Sequence, residues 1–427
     1  MKNIIWINWQ WICGVWSTKF LIETSKQFET AKIINFVSEN WNYINAKNFE
    51  IDIEQVNTTD IYNEVKDEEV IFINSFPNNK STIKEIDLFY NDMKKLSEEW
   101  VILIWFNHFN TLNYLNKMPK ILYWINLLDI IYTFNKNSDF WNIIKKLLPW
   151  KYNNLKTFSL PYDLWDFKYI ENKEDKIVYM WRYASFKNPE KMLNIIPDWI
   201  KWEYHWCGRT IETKQRLLNH EETSYRNIRD EDIEWKVNVR GKYKNKEWLE
   251  IMKWSKFAFS WFKLKAENYG ERLEYAMCEM VKSQCVCIFS KHFLDNVELD
   301  WNKLSSYKTF LWYNFEEDNS KQISEAIIRI SKDDKLRKEL ITKQYNLVKR
   351  LHNPSIIVWR ILKNIWKSLN QIYSYEEFIK TITENSWRNI DNIQDIYTLA
   401  IEPADMKLRH FRRYYQDNTR LRKEIIN

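Results

Sequence analysis

Glycine is almost missing from this 427-residue chain, which holds four, where the usual share of about 7% would give roughly 30. Tryptophan is in excess by a similar margin, with 24 residues. Long apolar runs are also missing. The longest, 121–134, is interrupted by Asn126 and Asp129 and has the length of a buried segment, so no membrane span is predicted. The five cysteines (Cys13, Cys207, Cys278, Cys285 and Cys287) form no CxxC pair and read as reduced core residues, which excludes a metal site or a disulfide frame. The N-terminus passes from Met1 straight into a predicted strand with no signal-peptide pattern, and a cytoplasmic protein is expected. Charge of one sign is not dominant: 64 Lys and Arg against 58 Asp and Glu leave +6, compatible with an anionic partner without requiring one.

The tryptophans recur where a backbone needs small size or positive φ. Trp6, Trp9, Trp11 and Trp16 crowd the first strand-to-loop turn, and glycine in their place gives a strand, a glycine-rich loop and a helix start. Such a loop lets backbone N–H groups approach an anion. Trp181 before Arg182 and Trp206 before Cys207 likewise end short apolar runs. These positions are expected to be glycine in the native protein, from a gene that reads UGA as glycine; UGG codons at most of them would refute this. The expectation has a structural corollary: such side chains should sit in turns or crowd the cleft, and close packing in apolar cores counts against it. The competing reading is a genuinely Trp-rich binding protein.

Short apolar runs alternate with amphipathic stretches through most of the chain. Strands are predicted at 3–7, 33–37, 69–74, 101–104 and 130–133, with a helix at 17–29. A second series follows: strands at 176–180, 203–205, 256–260 and 285–290, with helices at 189–196 and 271–282. Such alternation predicts an α/β protein of βαβ units with parallel, doubly wound sheets. The domains expected are two Rossmann-like domains (1–165 and 166–350), a return helix (351–370) and a helical basic tail (371–427). Helices are predicted at 331–351 and 355–370, separated at Asn353-Pro354. The stretch 406–427 carries seven Lys and Arg beside Phe411, Tyr414 and Tyr415, either a solvated helix or a phosphate-backbone contact.

Three elements fit one chemistry. Arg182 and Lys187 follow a predicted strand, and two cations at the C-terminal end of a parallel strand suit a diphosphate leaving group. Glu271 and Glu279 lie eight residues apart on one predicted helix, slightly over two turns, so both face one side; a solvated acidic helix is the plainer alternative. Glu274 lies about 60° off that line and reads as structural. His108 ends the run Val101 to Asn107 at the predicted cleft, where an ordinary loop histidine is the competing reading; His205 and His292 have weaker claims. Lys263 and Lys265 could add positive field or simply be solvated.

The Glu271-to-Glu279 spacing followed by Gln284-Cys285-Val286-Cys287-Ile288-Phe289-Ser290 resembles the donor-site signature of retaining GT-B glycosyltransferases. Together with the run Trp181 to Lys187, it is similar to the phage-type DNA α-glucosyltransferases over about residues 1–300. The resemblance implies that Arg182 and Lys187 bind the donor diphosphate, Glu279 the ribose and Glu271 the sugar hydroxyls. The loop with Gln10 and Gly14 would close on the donor, and His108 would contact the sugar near the reacting centre. Phe109 stands where those enzymes often carry Asp. The implied reaction retains anomeric configuration and moves a hexose, glucose foremost, from a UDP-sugar to an acceptor hydroxyl, with hydroxymethylated DNA as the candidate acceptor reached through the cleft and the basic tail. Neither metal nor cofactor is expected, the nucleotide sugar being a substrate. The alternatives are transfer to a cell-surface glycan, lipid or protein, or a non-catalytic glycan- or nucleic-acid-binding protein whose aromatic faces stack on sugars and bases.

Overall fold

The computed structural model describes residues 3–9, 15–37, 53–75, 83–108, 120–133, 139–164, 167–179, 192, 195–205, 237–241, 245–260, 275–295, 297–299, 302–314 and 316–365. They fall into two compact units, one ending at Phe158 and rejoined from Val358, the other running from Ser159 to Ile357.

The first unit holds strands β1 (Asn3–Trp9), β2 (Thr30–Phe36), β3 (Glu54–Thr58), β4 (Val70–Ile73), β5 (Ile102–Phe106), β6 (Ile130–Thr133) and β7 (Leu155–Thr157). Its described helices are α1 (Val15–Ser25), α2 (Ile61–Val65), α3 (Ile83–Glu98), α4 (Lys120–Leu127) and α5 (Asp139–Leu147). The sheet is parallel throughout in the order β3-β2-β1-β4-β5-β6-β7. Central strands such as Val-Ile-Phe-Ile of β4 are apolar on both faces because helices cover both. Alternation along β1 divides the core. Ile5, Ile7 and Trp9 meet Phe89 and Met93 of α3 and Trp124 of α4, whereas Trp6 packs between Phe20 of α1, Phe72 and Phe106 at 5.3–6.0 Å.

Trp6, Trp9, Trp105, Trp124 and Trp202 are all buried. Trp6 Nε1 donates to Ser25 Oγ at 3.0 Å, and Trp9 stacks on Phe36 with centroids 4.7 Å apart. Packing therefore lends no support to glycine at these positions, contrary to the expectation for Trp6 and Trp9. Each ring is a bulk-filling core residue. Trp11, Trp181 and Trp206 lie outside the described residues. Trp100 differs: it is 88% exposed with φ 67° at the end of α3. Val101 N–H donates to Leu96 O and Trp100 N–H to Ser97 O, the paired bonds of a Schellman ending whose left-handed residue is usually glycine.

The second unit holds β8 (Glu174–Tyr179), β9 (Lys201–His205), β10 (Val237–Gly241), β11 (Ser255–Ser260), β12 (Val286–Ser290), the pair β13 (Glu298–Leu299) and β14 (Asn302–Lys303), and β15 (Leu311–Tyr313). Its helices are α6 (Asn245–Lys253), α7 (Tyr275–Lys282), α8 (Lys291–Asp295), α9 (Ser320–Lys332), α10 (Asp334–His352) and α11 (Pro354–Ile365), the last crossing into the first unit. The main sheet is again parallel, in the order β10-β9-β8-β11-β12-β15, so each unit repeats one doubly wound plan.

The structure bears out or sharpens several elements of the sequence reading. The helix expected at 331–351 is α10, starting three residues later because Asp333 ends α9 and caps α10, its carboxylate accepting from Leu336 N–H at 2.9 Å. The apolar stretch 121–134 is helix α4 followed by β6. Its two polar interruptions are satisfied: Asn126 Oδ1 accepts from Trp150 Nε1 at 2.7 Å, and Asp129 Oδ2 from Leu103 N–H at 2.8 Å. Cys278, Cys285 and Cys287 are free and buried, and burial pushes the Cys285 and Cys287 thiols up. At α11, Pro354 takes the first helical position and Asn353 Oδ1 accepts from Ile356 N–H, as the Asn-Pro break predicts. The end of α11 is tied to the first sheet by Tyr132, whose hydroxyl donates to Ile361 O and accepts from Asn364 Nδ2.

Candidate functional site

In an open parallel sheet the strand order reverses at one point, and the crevice beyond the carboxyl ends there is where ligands bind. The reversals lie between β1 and β4 and between β8 and β11.

In the first unit the β1/β4 reversal is finished by amides. Each neighbouring strand ends its apolar run in asparagine: Asn8 on β1, Asn35 on β2, Asn74 after β4 and Asn107 after β5. All four are at most 5% exposed. Ladder bonds continue past the strand ends, from Asn74 N–H to Ile7 O and from Asn107 N–H to Tyr132 O. His108 follows directly, 7% exposed, its Nε2 2.9 Å from Asn74 Oδ1. The rings of Phe20 (5.2 Å) and Phe158 (5.9 Å) stand edge-on to the imidazole. Asn74 Nδ2 donates to Asn8 Oδ1 (3.2 Å), Asn8 Nδ2 to Asn35 Oδ1 (3.3 Å), and Asn35 Nδ2 to Asn57 Oδ1 (3.2 Å) and Gln55 Oε1 (3.3 Å). A buried amide left unsatisfied costs about 1–3 kcal/mol, so the row is held as a unit. This network was not anticipated, although an asparagine closing each of several apolar runs is a signal visible in the sequence.

In the second unit the reversal lies between Tyr179 and Ser260. Arg182 and Lys187 follow β8 in sequence, and Lys263, Lys265 and Glu271 follow β11; all five lie outside the described residues, as do Gln10 and Gly14 after β1. The shared helix face expected for Glu271 and Glu279 therefore has only one described member. Glu279 sits on α7, 2% exposed among Tyr275, Met277, Cys278, Met280 and Val281. His205 ends β9, and His292 on α8 lies 3.5 Å from Glu316. Among the described residues no group of His, Cys, Asp and Glu could hold a metal ion, and no helix is long and apolar enough to cross a membrane.

Not every perturbed group belongs to a site. Burial pushes Asp129 up to about 6 and Lys151 down to about 8, with Lys151 Nζ donating to Leu128 O at 2.7 Å. Asp129 bonds to Leu103 at the start of β5, the rim opposite His108, where a parallel sheet carries stability and not ligands.

Solved structures with the same arrangement exist. An alpha-glucosyltransferase in complex with UDP-glucose and DNA containing an abasic site superposes with TM-score 0.68 at 16% identity, over 86% of this chain and 99% of that one. The fold is that of the GT-B glycosyltransferases. An alpha-glucosyltransferase with UDP and a 13-mer DNA containing an HMU base gives TM-score 0.67 at 18% identity, over 86% of this chain and all of that one. A TarM variant from S. aureus, in complex with Fondaparinux, alpha-GlcNAc-glycerol and UDP, gives TM-score 0.53 at 10% identity, again over 86% and 100%. No protein-family profile matches the chain, and no curated protein does. In the GT-B frame His108 belongs to the first Rossmann-like unit and Glu279 to the second.

Proposed function

We propose that this chain is a retaining glycosyltransferase that moves glucose from UDP-glucose to a hydroxyl of hydroxymethylated DNA, acting in the cytoplasm. The observation that carries the reading is the pair of doubly wound sheets, the second of which has its reversal point between β8 and β11 followed in sequence by the cationic and acidic residues a nucleotide sugar requires. The likeness to an enzyme bound to UDP-glucose and DNA supports the choice of donor and acceptor.

In this reading the bond between the anomeric carbon and the β-phosphate oxygen breaks while the acceptor oxygen bonds to the same face of that carbon. The acceptor proton passes to the departing phosphate, giving UDP and the glycoside. Arg182 and Lys187 neutralise charge as it develops on the diphosphate, where fixed cations lower the barrier most. Glu279 meets the ribose, Glu271 the sugar hydroxyls, and His108 the sugar near the reacting carbon. The loop carrying Gln10 and Gly14 closes on the donor, and we propose glycine at Trp11 and Trp181 in the native protein, a point its codons or peptide masses decide. Two cations supply the positive charge, so the reaction needs no metal. The basic stretch 406–427 contacts the DNA backbone, each phosphate contact adding salt dependence.

The test is incubation with UDP-glucose and duplex DNA, with and without hydroxymethylcytosine, reading UDP release and DNA mass. Hexose added only to the hydroxymethylated duplex is expected, and Glu271→Ala and Arg182→Ala should abolish it while the far-ultraviolet circular dichroism stays unchanged. UDP release without DNA modification overturns the acceptor and directs the search to glycans, lipids and proteins. No turnover of any UDP-hexose with any of these overturns the enzyme reading in favour of a binding protein.

A further inference from the structure

Hydrogen bonds along the asparagine row run in one direction. Trp9 N–H is a backbone donor and can only donate; it does so to Ser75 Oγ at 3.0 Å. The Ser75 hydroxyl donates to Asn8 Oδ1 at 2.6 Å. Asn8 thus turns its oxygen toward Ser75 and Asn74 and its nitrogen toward Asn35. Asn74 spends its Nδ2 on Asn8, which leaves Oδ1 facing His108 Nε2 at 2.9 Å. An amide oxygen accepts and never donates, so the imidazole must be the donor.

We propose that Asn74, held by Asn8 and Ser75, is a positioning residue that locks His108 in the tautomer protonated at Nε2, making Nδ1 the ring's acceptor nitrogen. Nδ1 is itself buried, and a sugar or acceptor hydroxyl seated against it would donate to it. The tautomer claim stands on the geometry alone, and only its use in catalysis rests on the function proposed above. The physical logic is that of a histidine ligand whose second nitrogen is fixed by an outer partner. Here the partner is a neutral amide row, which orients the ring without adding charge. Flipping the Asn74 amide alone would set its oxygen against Asn8 Oδ1 and lose that buried bond, which favours the orientation seen.

The tautomer is read directly by nitrogen-15 NMR of histidine-labelled protein, with His108 assigned from the signal lost in His108→Gln. The intact protein is expected to show a pyrrole-type Nε2 and a pyridine-type Nδ1. Asn74→Leu removes the acceptor and should give averaged signals. Asn8→Ala loosens the clamp one link away and should shift the signals partway, which keeps the test available if Asn74→Leu does not fold. A pyridine-type Nε2 in the intact protein, or an unchanged pattern in both Asn74→Leu and Asn8→Ala, overturns the proposal. In turnover assays Asn74→Leu should lower kcat by about tenfold or more, with KM for UDP-glucose within about twofold, since misplacing a group that positions the reactants can cost up to about 10²-fold. If the tautomer is as stated and His108→Ala transfers sugar at the full rate, the lock stands and the catalytic use of His108 falls.

Discussion

Replacing Trp100 by glycine should stabilise the first unit. The residue closes α3 at φ 67°, and its side chain is 88% exposed. Holding an L-residue with a Cβ in the left-handed region costs about 1–2 kcal/mol, and glycine does not pay it. Glycine in turn has more freedom to lose on folding, which takes back about 0.4–1 kcal/mol. So exposed a ring forfeits little transfer free energy on removal, and the net gain is about 0.5–1 kcal/mol. In a unit of this size that raises the thermal midpoint by about 1–4 °C. Trp100→Ala is the control: it keeps the Cβ and should gain nothing. Trp6→Gly is the counterpart, since a fully buried indole hides about 150–250 Å² and its loss costs about 4–6 kcal/mol at 25 cal per Å², before the Ser25 bond is counted. Thermal and urea unfolding of the three variants is the assay. Destabilisation by Trp100→Gly, an equal gain from Trp100→Ala, or tolerance of Trp6→Gly would refute the reasoning. The same contrast separates positions where glycine would serve the fold from those where tryptophan does.

Two further predictions concern stability. Between about 8 and 10.5 the unfolded chain holds a proton on Lys151 that the folded chain lacks, so this group makes stability rise with pH across that window. Between 3.8 and about 6 the folded chain keeps a proton on Asp129 that the unfolded chain has released, so stability falls as pH rises there. Urea titrations of Lys151→Met against the parent should show the alkaline rise removed; an identical pH profile would contradict the assignment. Gln284 also ends its helix at positive φ (58°), but its side chain accepts from Ile170 N–H and donates to Lys168 O. Gln284→Gly should therefore destabilise the second unit by about 1–2 kcal/mol despite relieving the backbone, and a gain in midpoint would count against it.

The alternation of apolar runs with amphipathic helices determined the α/β class, and with it the two doubly wound units, because period and length decide whether a segment can be covered on both faces. The Asn353-Pro354 break was legible for the same local reason: a proline fits the first helical position and asparagine caps it. Edge strands were not legible. Glu54–Thr58 is polar and pairs on one side only, Leu155–Thr157 is three residues long, and Leu311–Tyr313 is joined to its sheet by a partner distant in sequence. Asp333 interrupts a helical pattern with no glycine or proline to mark it. His108 was recognised from its place after an apolar strand, but its partner comes from β4, and Asn74 is in turn fixed by Asn8 on β1. The tryptophan excess was plain in the composition, whereas which rings fill a core and which sits at positive φ depended on neighbours from other strands and helices. Sequence fixes what each segment prefers locally; sheet order, set by which strands can bury both faces together, brought four asparagines and a histidine to one rim.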